Sequence, residues 1–356
     1  MLDLTASAVD ITRTLCDSPS VSGNERALAD AIVAALEPYG HLEVIRDGDL
    51  VVARTAFGRA ERVIIAGHLD TVPINDNLPT RDVVEDGEAY LWGRGTVDMK
   101  AGVAVQLKLA AELTDPVHDV TWVWYDHEEV EAAKNGLARL VRNRPDLLEG
   151  SFAILGEPSN GGIEGGCNGT LRAVVRTRGI RSHSARSWRG ENAIHFAAPI
   201  LAKLAAYTAK TIDVDGLAYR EGLNAVRISG GVAGNVIPDL CEVEINYRFA
   251  PDKTADEAVD RIAQFFDEYE VEITDLAAGA RPGLDAPIAR TFARAVGGAP
   301  KPKYGWTDVA RFSELGIPAV NYGPGDGQLA HADDERVRVS EIEDVERGLR
   351  GWLTGG

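Results

Sequence analysis

Residues 62–73 read RVIIAGHLDTVP and residues 93–102 read GRGTVDMKAG. Each stretch carries an apolar run or turn that leads into a His or Asp. Arg62–Gly67 is a short apolar run of the kind that forms a buried strand, and His68 and Asp70 follow at its end. Asp98 stands just before Ala101–Leu113, which reads as a helix. Two further apolar runs behave in the same way. Val120–Tyr125 (VTWVWY) leads to Glu128 and Glu129, and Phe152–Leu155 (FAIL) leads to Glu157. The run Ala319–Tyr322 leads through a Gly-rich loop, GPGDGQLAH, to His331. Strands alternating with helices predict an α/β layer around a mostly parallel, mixed sheet. In such sheets ligands bind outside the carboxyl ends of the strands, where these side chains fall.

Outward from this core, Ser22 and Glu25 match a capping box ahead of Leu28, Ile32 and Leu36, with Gly40 past the helix end. A last helix is expected near Ser340–Leu353. The pattern changes near residue 170. Leu171, Ala173 and Val175 alternate with Arg172 and Arg176, as in a strand with one solvated face. A helix is expected over roughly Asn192–Thr208, then strands at Ala225–Ser229 and Cys241–Phe249. A helix behind a Thr254/Glu257 capping box and a strand near Val271–Asp275 complete a β-α-β-β-α-β order. This predicts a split-βαβ, ferredoxin-like α+β domain at 171–283, inserted into a first domain made of 1–170 and 284–356.

Composition narrows the function classes. The chain has 356 residues with Lys+Arg 37 and Asp+Glu 55, a net charge of −18. That balance argues against nucleic-acid and anionic-membrane partners. There is no signal-peptide pattern and no apolar run long enough to span a bilayer. Cys16, Cys167 and Cys241 are widely spaced, which argues against a disulfide framework and for a reducing cytoplasm.

Singly, each acidic or His residue has an ordinary structural reading: Asp98 as a helix N-cap, Glu128–Glu129 as a solvated loop, Glu157 as a turn residue. Together, two His and several carboxylates at successive strand ends form a mixed nitrogen and oxygen donor set suited to zinc or a similar divalent ion. Two metals can share one carboxylate in such a set.

GHLDTVP, GRGTVDMKAG, an adjacent Glu pair, GEP and a late His, in this order, resemble the M20 family of di-zinc amidohydrolases and peptidases. The resemblance implies a zinc-peptidase-like catalytic domain with an inserted lid and dimerisation domain. It implies two Zn2+ ions, replaceable by Co2+ or another divalent ion. His68, Asp98 and Glu157 would hold one, and Asp98 would bridge to a second completed by Glu129 and His331. Glu128 would be general base and acid, and Asp70 would orient His68 through its other ring nitrogen. A cis peptide is implied at Asp98–Met99. His127 stands where the family commonly has a small or acidic residue.

In the inserted domain, GIRSHSARSWRGENAIH (179–195) places His183 where the family has a His that reaches the partner subunit's active site and helps hold the oxyanion. The stretch Gly234–Pro238 (GNVIP), with Arg248 thirteen residues after Asn235, resembles the substrate segment of the family's desuccinylases. The implied substrate is a small N-succinyl amino acid, N-succinyl-LL-2,6-diaminopimelate. Asn235, Arg178 and Arg248 are then candidate substrate residues, Arg248 as a fork for a carboxylate. The implied assembly is a homodimer through the inserted domain, with LNAVRISGG (223–231) as an exposed pairing edge. Another deacylase of the family, a di- or tripeptidase, and a metal-binding protein without turnover remain as alternatives.

Overall fold

The computed structural model describes residues 2–355, which divide into two compact units. The first takes in the chain up to Gly165, Pro282–Lys301 and Arg311 onward. The second is Gly166–Arg281 with Pro302–Ala310. Residues 302–310 thus belong to the second unit, whereas the expected boundaries of 171–283 leave them in the first.

The first unit is built on an eight-stranded sheet. Its order is Glu43–Asp47, Leu50–Arg54, Asp119–Tyr125, Arg62–His68, Phe152–Leu155, Ala319–Asn321, Glu164–Gly165 and Lys301–Pro302. The strands Asp119–Tyr125, Arg62–His68, Phe152–Leu155 and Ala319–Asn321 are neighbours and mutually parallel. Both faces of these strands are covered, which is why they read as continuous apolar runs rather than alternating ones. Their side chains join those of the helices Ala8–Cys16, Lys100–Glu112 and Val339–Thr354 in one core, with Val63, Ile65, Trp122 and Ile154 meeting Ile11, Leu107, Ile342 and Leu349.

One local expectation fails here. The helix begins at Arg26 and ends at Leu36, but Glu25 sits at its N-cap with no side-chain cap bond. Ser22 and Glu25 do not form a capping box. Ser22 Oγ donates to Asp70 Oδ2 at 2.7 Å, and Glu25 Oε1 accepts from the amides of Gly23 and His127. A buried carboxylate is a stronger acceptor for a hydroxyl than a helix amide is a donor to it. The helix Ala8–Cys16 was not anticipated, although Ser7 caps it by accepting from the Asp10 amide.

The second unit has a four-stranded sheet in the order Gly222–Gly230, Leu240–Phe249, Gly169–Arg178, Glu270–Ala277, every neighbouring pair antiparallel. In chain order this is 2-3-1-4, the split-βαβ arrangement. One face is apolar and packs on helices, with Leu171, Val175, Val243 and Tyr247 in one cluster with Ile262 of helix Ala255–Phe265. The Thr254/Glu257 capping box is present, with both reciprocal bonds made. The helix expected over 192–208 is two shorter ones, Ala193–Phe196 and Ala198–Ala205. Pro199 lies in the first turn of the second, where its missing N–H costs no helix bond.

Candidate active site

The four parallel strands deliver the candidate residues to one edge of the sheet. His68 is the last residue of its strand. The Glu pair follows strand Asp119–Tyr125, and Glu157 follows strand Phe152–Leu155. The loop to His331 follows Ala319–Asn321. Close packing at this edge requires glycine. A Cβ on Gly102 or on Gly323 would collide with the carbonyl oxygen of Gly156, beside Glu157.

Asp98 is the centre of the cluster. Its Oδ1 lies 3.0 Å from His68 Nε2, and its Oδ2 lies 3.3 Å from His331 Nε2. His331 Nε2 is also 3.0 Å from Glu129 Oε1. His68, Asp98 and Glu129 each offer an atom within 4.8 Å of the others, a group able to hold a metal ion. Glu157 is buried outside that group of three, on the adjacent strand end. The Asp98–Met99 peptide is cis, as the resemblance implied.

The tautomer of His68 tests the fit to a metal. Its Nδ1 lies 3.0 Å from the Asp70 carbonyl oxygen, which can only accept, so Nδ1 carries the proton. In the neutral ring, Nε2 is then a lone pair facing the Asp98 carboxylate. Two acceptors at that distance repel unless a proton or a cation lies between them. Without a metal the ring takes the proton. Burial opposes its charge, yet Asp70 and Asp98 hold the His68 pKa well above the ordinary imidazole value. Asp98 and Glu129 raise His331 to about 10. Asp98, although buried, is held far below the usual carboxylate range by the two imidazoles. A divalent ion would satisfy the same lone pairs with the rings neutral, so the donor set fits.

Asp70 does more than orient His68. The orienting contact is its backbone carbonyl, and its carboxylate is 3.6 Å from Nδ1. The carboxylate instead accepts from the amides of Glu128 (3.0 Å) and Glu129 (3.1 Å) and from Ser22 Oγ. Burial would raise Asp70, but His68 and these donors lower it to about 2. Asp70 thus holds the Glu pair in place as a permanent anion. His127, at φ 59, turns the chain into that pair. Its Nδ1 is 2.7 Å from Asp126, itself gripped by Arg139. The Asp70 bonds to the Glu pair and the roles of Ser22 and Glu25 have no local sequence signature, because those partners lie 48 to 102 residues apart in the chain.

In the second unit, His183 is exposed in a short strand, Ser182–His183, paired with Val236–Ile237. Its Nδ1 accepts from the Ala185 amide at 3.0 Å, so in the neutral ring Nε2 carries the proton and faces outward as a donor. Asn235 is exposed, and its carbonyl accepts from the Ser184 amide. Arg178 is paired with a carboxylate. Its guanidinium forks onto Glu270, with Nε–Oε2 2.9 Å and Nη2–Oε1 3.2 Å. Arg248 differs: it is half-buried, and its Nε donates to Asn246 Oδ1 at 3.1 Å. Among the described residues it has no carboxylate within ion-pair distance, and burial together with Arg172 lowers its pKa.

Comparison with known proteins settles the ancestry of this arrangement. The pattern of peptidase family M20/M25/M40 matches residues 64–354. The chain belongs to this family. An M20 relative from Mycobacterium tuberculosis, named "Putative succinyl-diaminopimelate desuccinylase DapE", is 52% identical over 100% of both chains. A succinyl-diaminopimelate desuccinylase from Corynebacterium glutamicum is 46% identical over 99% of this chain and 98% of its own. Among solved structures, a tripeptidase from Staphylococcus aureus superposes with a TM-score of 0.78 at 20% identity, covering 99% of this chain and 98% of that one. An M20 metallo-carboxypeptidase from Sulfolobus solfataricus gives 0.76 at 15%, covering 98% and 99%. These two share the M20 fold with the chain.

Proposed function

We propose that the protein is a metal-dependent amidohydrolase that cleaves N-succinyl-LL-2,6-diaminopimelate to succinate and LL-2,6-diaminopimelate. The observation that carries the reaction class is Asp98, whose two oxygens each face a different imidazole, as a carboxylate shared by two metal sites requires. The full-length likeness to desuccinylases supports the substrate. We assign His68, Asp98 and Glu157 to one Zn2+ and Asp98, Glu129 and His331 to the other. The ions would supply Lewis acidity to water and to the scissile carbonyl.

The chain's own residues do the rest. Glu128 accepts the proton of the attacking water and returns it to the leaving amine nitrogen. Its backbone is fixed for this by the bond from its amide to Asp70. His183 of a second copy donates Nε2–H to the developing oxyanion, in the tautomer that its Nδ1 bond sets. Arg248 receives a substrate carboxylate on its unshared Nη edge, with Asn235 shaping the neighbouring loop. Arg178 orders the sheet through Glu270 and leaves recognition to Arg248. The acidic chain repels a polyanionic substrate at long range, so affinity rests on such local cations. The assembly is a homodimer paired through the edge strand Gly222–Gly230, working in the cytoplasm.

The test is succinate release from N-succinyl-LL-2,6-diaminopimelate by protein stripped with chelator and reloaded with two equivalents of Zn2+. Release that depends on the metal is expected. Protein that binds two metals and releases no succinate would overturn the substrate. N-acetylornithine and small peptides, run beside it, would identify the other M20 activities.

A further inference from the structure

His331 and Asp98 come from chain segments more than 200 residues apart, and nothing in either segment alone sets their separation. A buried pair joins the two segments. Glu335, four residues past His331, is 1% exposed, and Arg94, four residues before Asp98, is 3% exposed. Glu335 Oε1 accepts from the amides of Val97 (2.9 Å) and Asp98 (3.1 Å). Its Oε2 accepts from Arg94 Nη1 at 2.7 Å. Arg94 Nη2 reaches the carbonyl oxygen of His331 at 3.4 Å. The Gly93 amide donates to the Glu335 carbonyl at 2.9 Å, and strand Arg336–Arg338 pairs with strand Glu88–Trp92 just beyond.

The arrangement parallels that of Asp70. Each buried carboxylate takes two consecutive amides of a candidate ligand loop, Asp70 those of Glu128 and Glu129, Glu335 those of Val97 and Asp98. Glu335 goes further, because its second oxygen orients an arginine whose other arm holds the His331 backbone. His331 sits at φ 65, a left-handed conformation that a non-glycine residue keeps only when its surroundings impose it.

We infer that Glu335 and Arg94 are positioning residues that set the distance between the His331 imidazole and the Asp98 carboxylate, and so preorganise the metal position these two share. The inference rests on the metal-ligand assignment above. An ion pair so deeply buried contributes little to stability compared with an apolar pair of the same shape, so a positioning role better accounts for it. Groups that orient ligands in this way typically change metal affinity by about ten- to a hundred-fold when altered.

The test is calorimetric titration of the full-length apoprotein with Zn2+, comparing wild type, Glu335→Gln, Arg94→Lys and His331→Ala, with apoprotein melting temperatures measured alongside. Two binding steps are expected in wild type, and His331→Ala identifies the step that uses His331. Glu335→Gln should weaken that step by about ten- to a hundred-fold and the other step less. Arg94→Lys keeps the charge but loses the fork, and should weaken the same step. Cobalt absorption at that step should lose its wild-type band positions in both variants. Wild-type affinity for both steps in Glu335→Gln and Arg94→Lys would overturn the inference. Equal loss at both steps, tracking a fall in apoprotein melting temperature, would overturn it in favour of a purely structural pair. A His331→Ala protein with two unaltered steps would instead overturn the ligand assignment, and the positioning role with it.

Discussion

Asp98, His68, Glu129 and His331 hold one another in the protein, and the amide of Glu128 is bound to Asp70 beside them. Glu128 is proposed to move a proton and not to ligate either metal, so its replacement should spare metal binding. Glu128→Gln is expected to keep two bound metals by elemental analysis while kcat falls by about a hundred- to ten-thousand-fold, the range of a lost general base. Arg248 carries a different prediction. Replacing its planar fork by the point charge of lysine in Arg248→Lys should raise KM for the N-succinyl substrate about ten-fold or more, with kcat less affected. Steady-state kinetics on a succinylated and an acetylated substrate separate this from a general loss of activity. The residue types gathered at the strand ends, and their order, were legible at this scale, because strand-end His and carboxylates leave a local pattern. Ser22, Glu25, Arg94 and Glu335 were not, because each acts through a partner distant in sequence.

Elements are held to the sheet by similar polar devices away from the site. Asp119 opens the strand that leads to the Glu pair, and it is buried. Its carboxylate accepts from the amides of Phe57 (2.7 Å) and Arg59 (2.9 Å) and from Thr55 Oγ1 (2.9 Å). Burial raises its pKa, but these donors prevail and the net shift is downward. A depressed pKa means a contribution fully present above the unfolded value of about 3.9 and lost as pH falls towards the folded one. Asp119→Asn should then cost about 1–3 kcal/mol at neutral pH. The gap from wild type should narrow below about pH 4, as thermal melts across pH would show. In the second unit, Thr254→Ala removes a capping box and should cost about 1 kcal/mol, read as faster hydrogen exchange at the first amides of helix Ala255–Phe265. Strand ranges were readable to within a few residues where the run was apolar on both faces. The helix over 192–208 was not, since Pro199 starts a second helix there.

At the scale of the molecule, strand Gly222–Gly230 ends the second unit's sheet and pairs on one side only, with Leu240–Phe249. It exposes Val226 (59%) and Ile228 (47%). An open apolar edge of this kind invites a second copy. Val226→Lys with Ile228→Lys should convert the proposed homodimer to monomers in sedimentation. Succinate release should fall with it, because the proposed mechanism takes the His183 of each site from the second copy. Mixing inactive His183→Ala and Glu128→Gln chains should restore part of the activity only if dimers exchange. All three cysteines are buried and unpaired, and burial lifts Cys16 to about 12 and Cys167 to about 11, so neither is a reactive thiol. No described helix is long and apolar enough to cross a membrane.

From sequence alone followed the α/β architecture, the split-βαβ order and the set of residues gathered at the strand ends. The physical reason is that apolar period, capping residues and strand-end His or carboxylate side chains are local properties of the chain. Only the tertiary structure decided how those residues are held. It showed that Asp98 divides its oxygens between two imidazoles. It showed that Asp70 anchors the Glu pair through backbone amides, and that Glu335 and Arg94 tie His331 to Asp98. It also paired Arg178 with Glu270 and, among the described residues, left Arg248 without a carboxylate at ion-pair distance. Hydrogen bonds between residues scores to hundreds apart depend on which strands become neighbours, and that order is a property of the folded sheet.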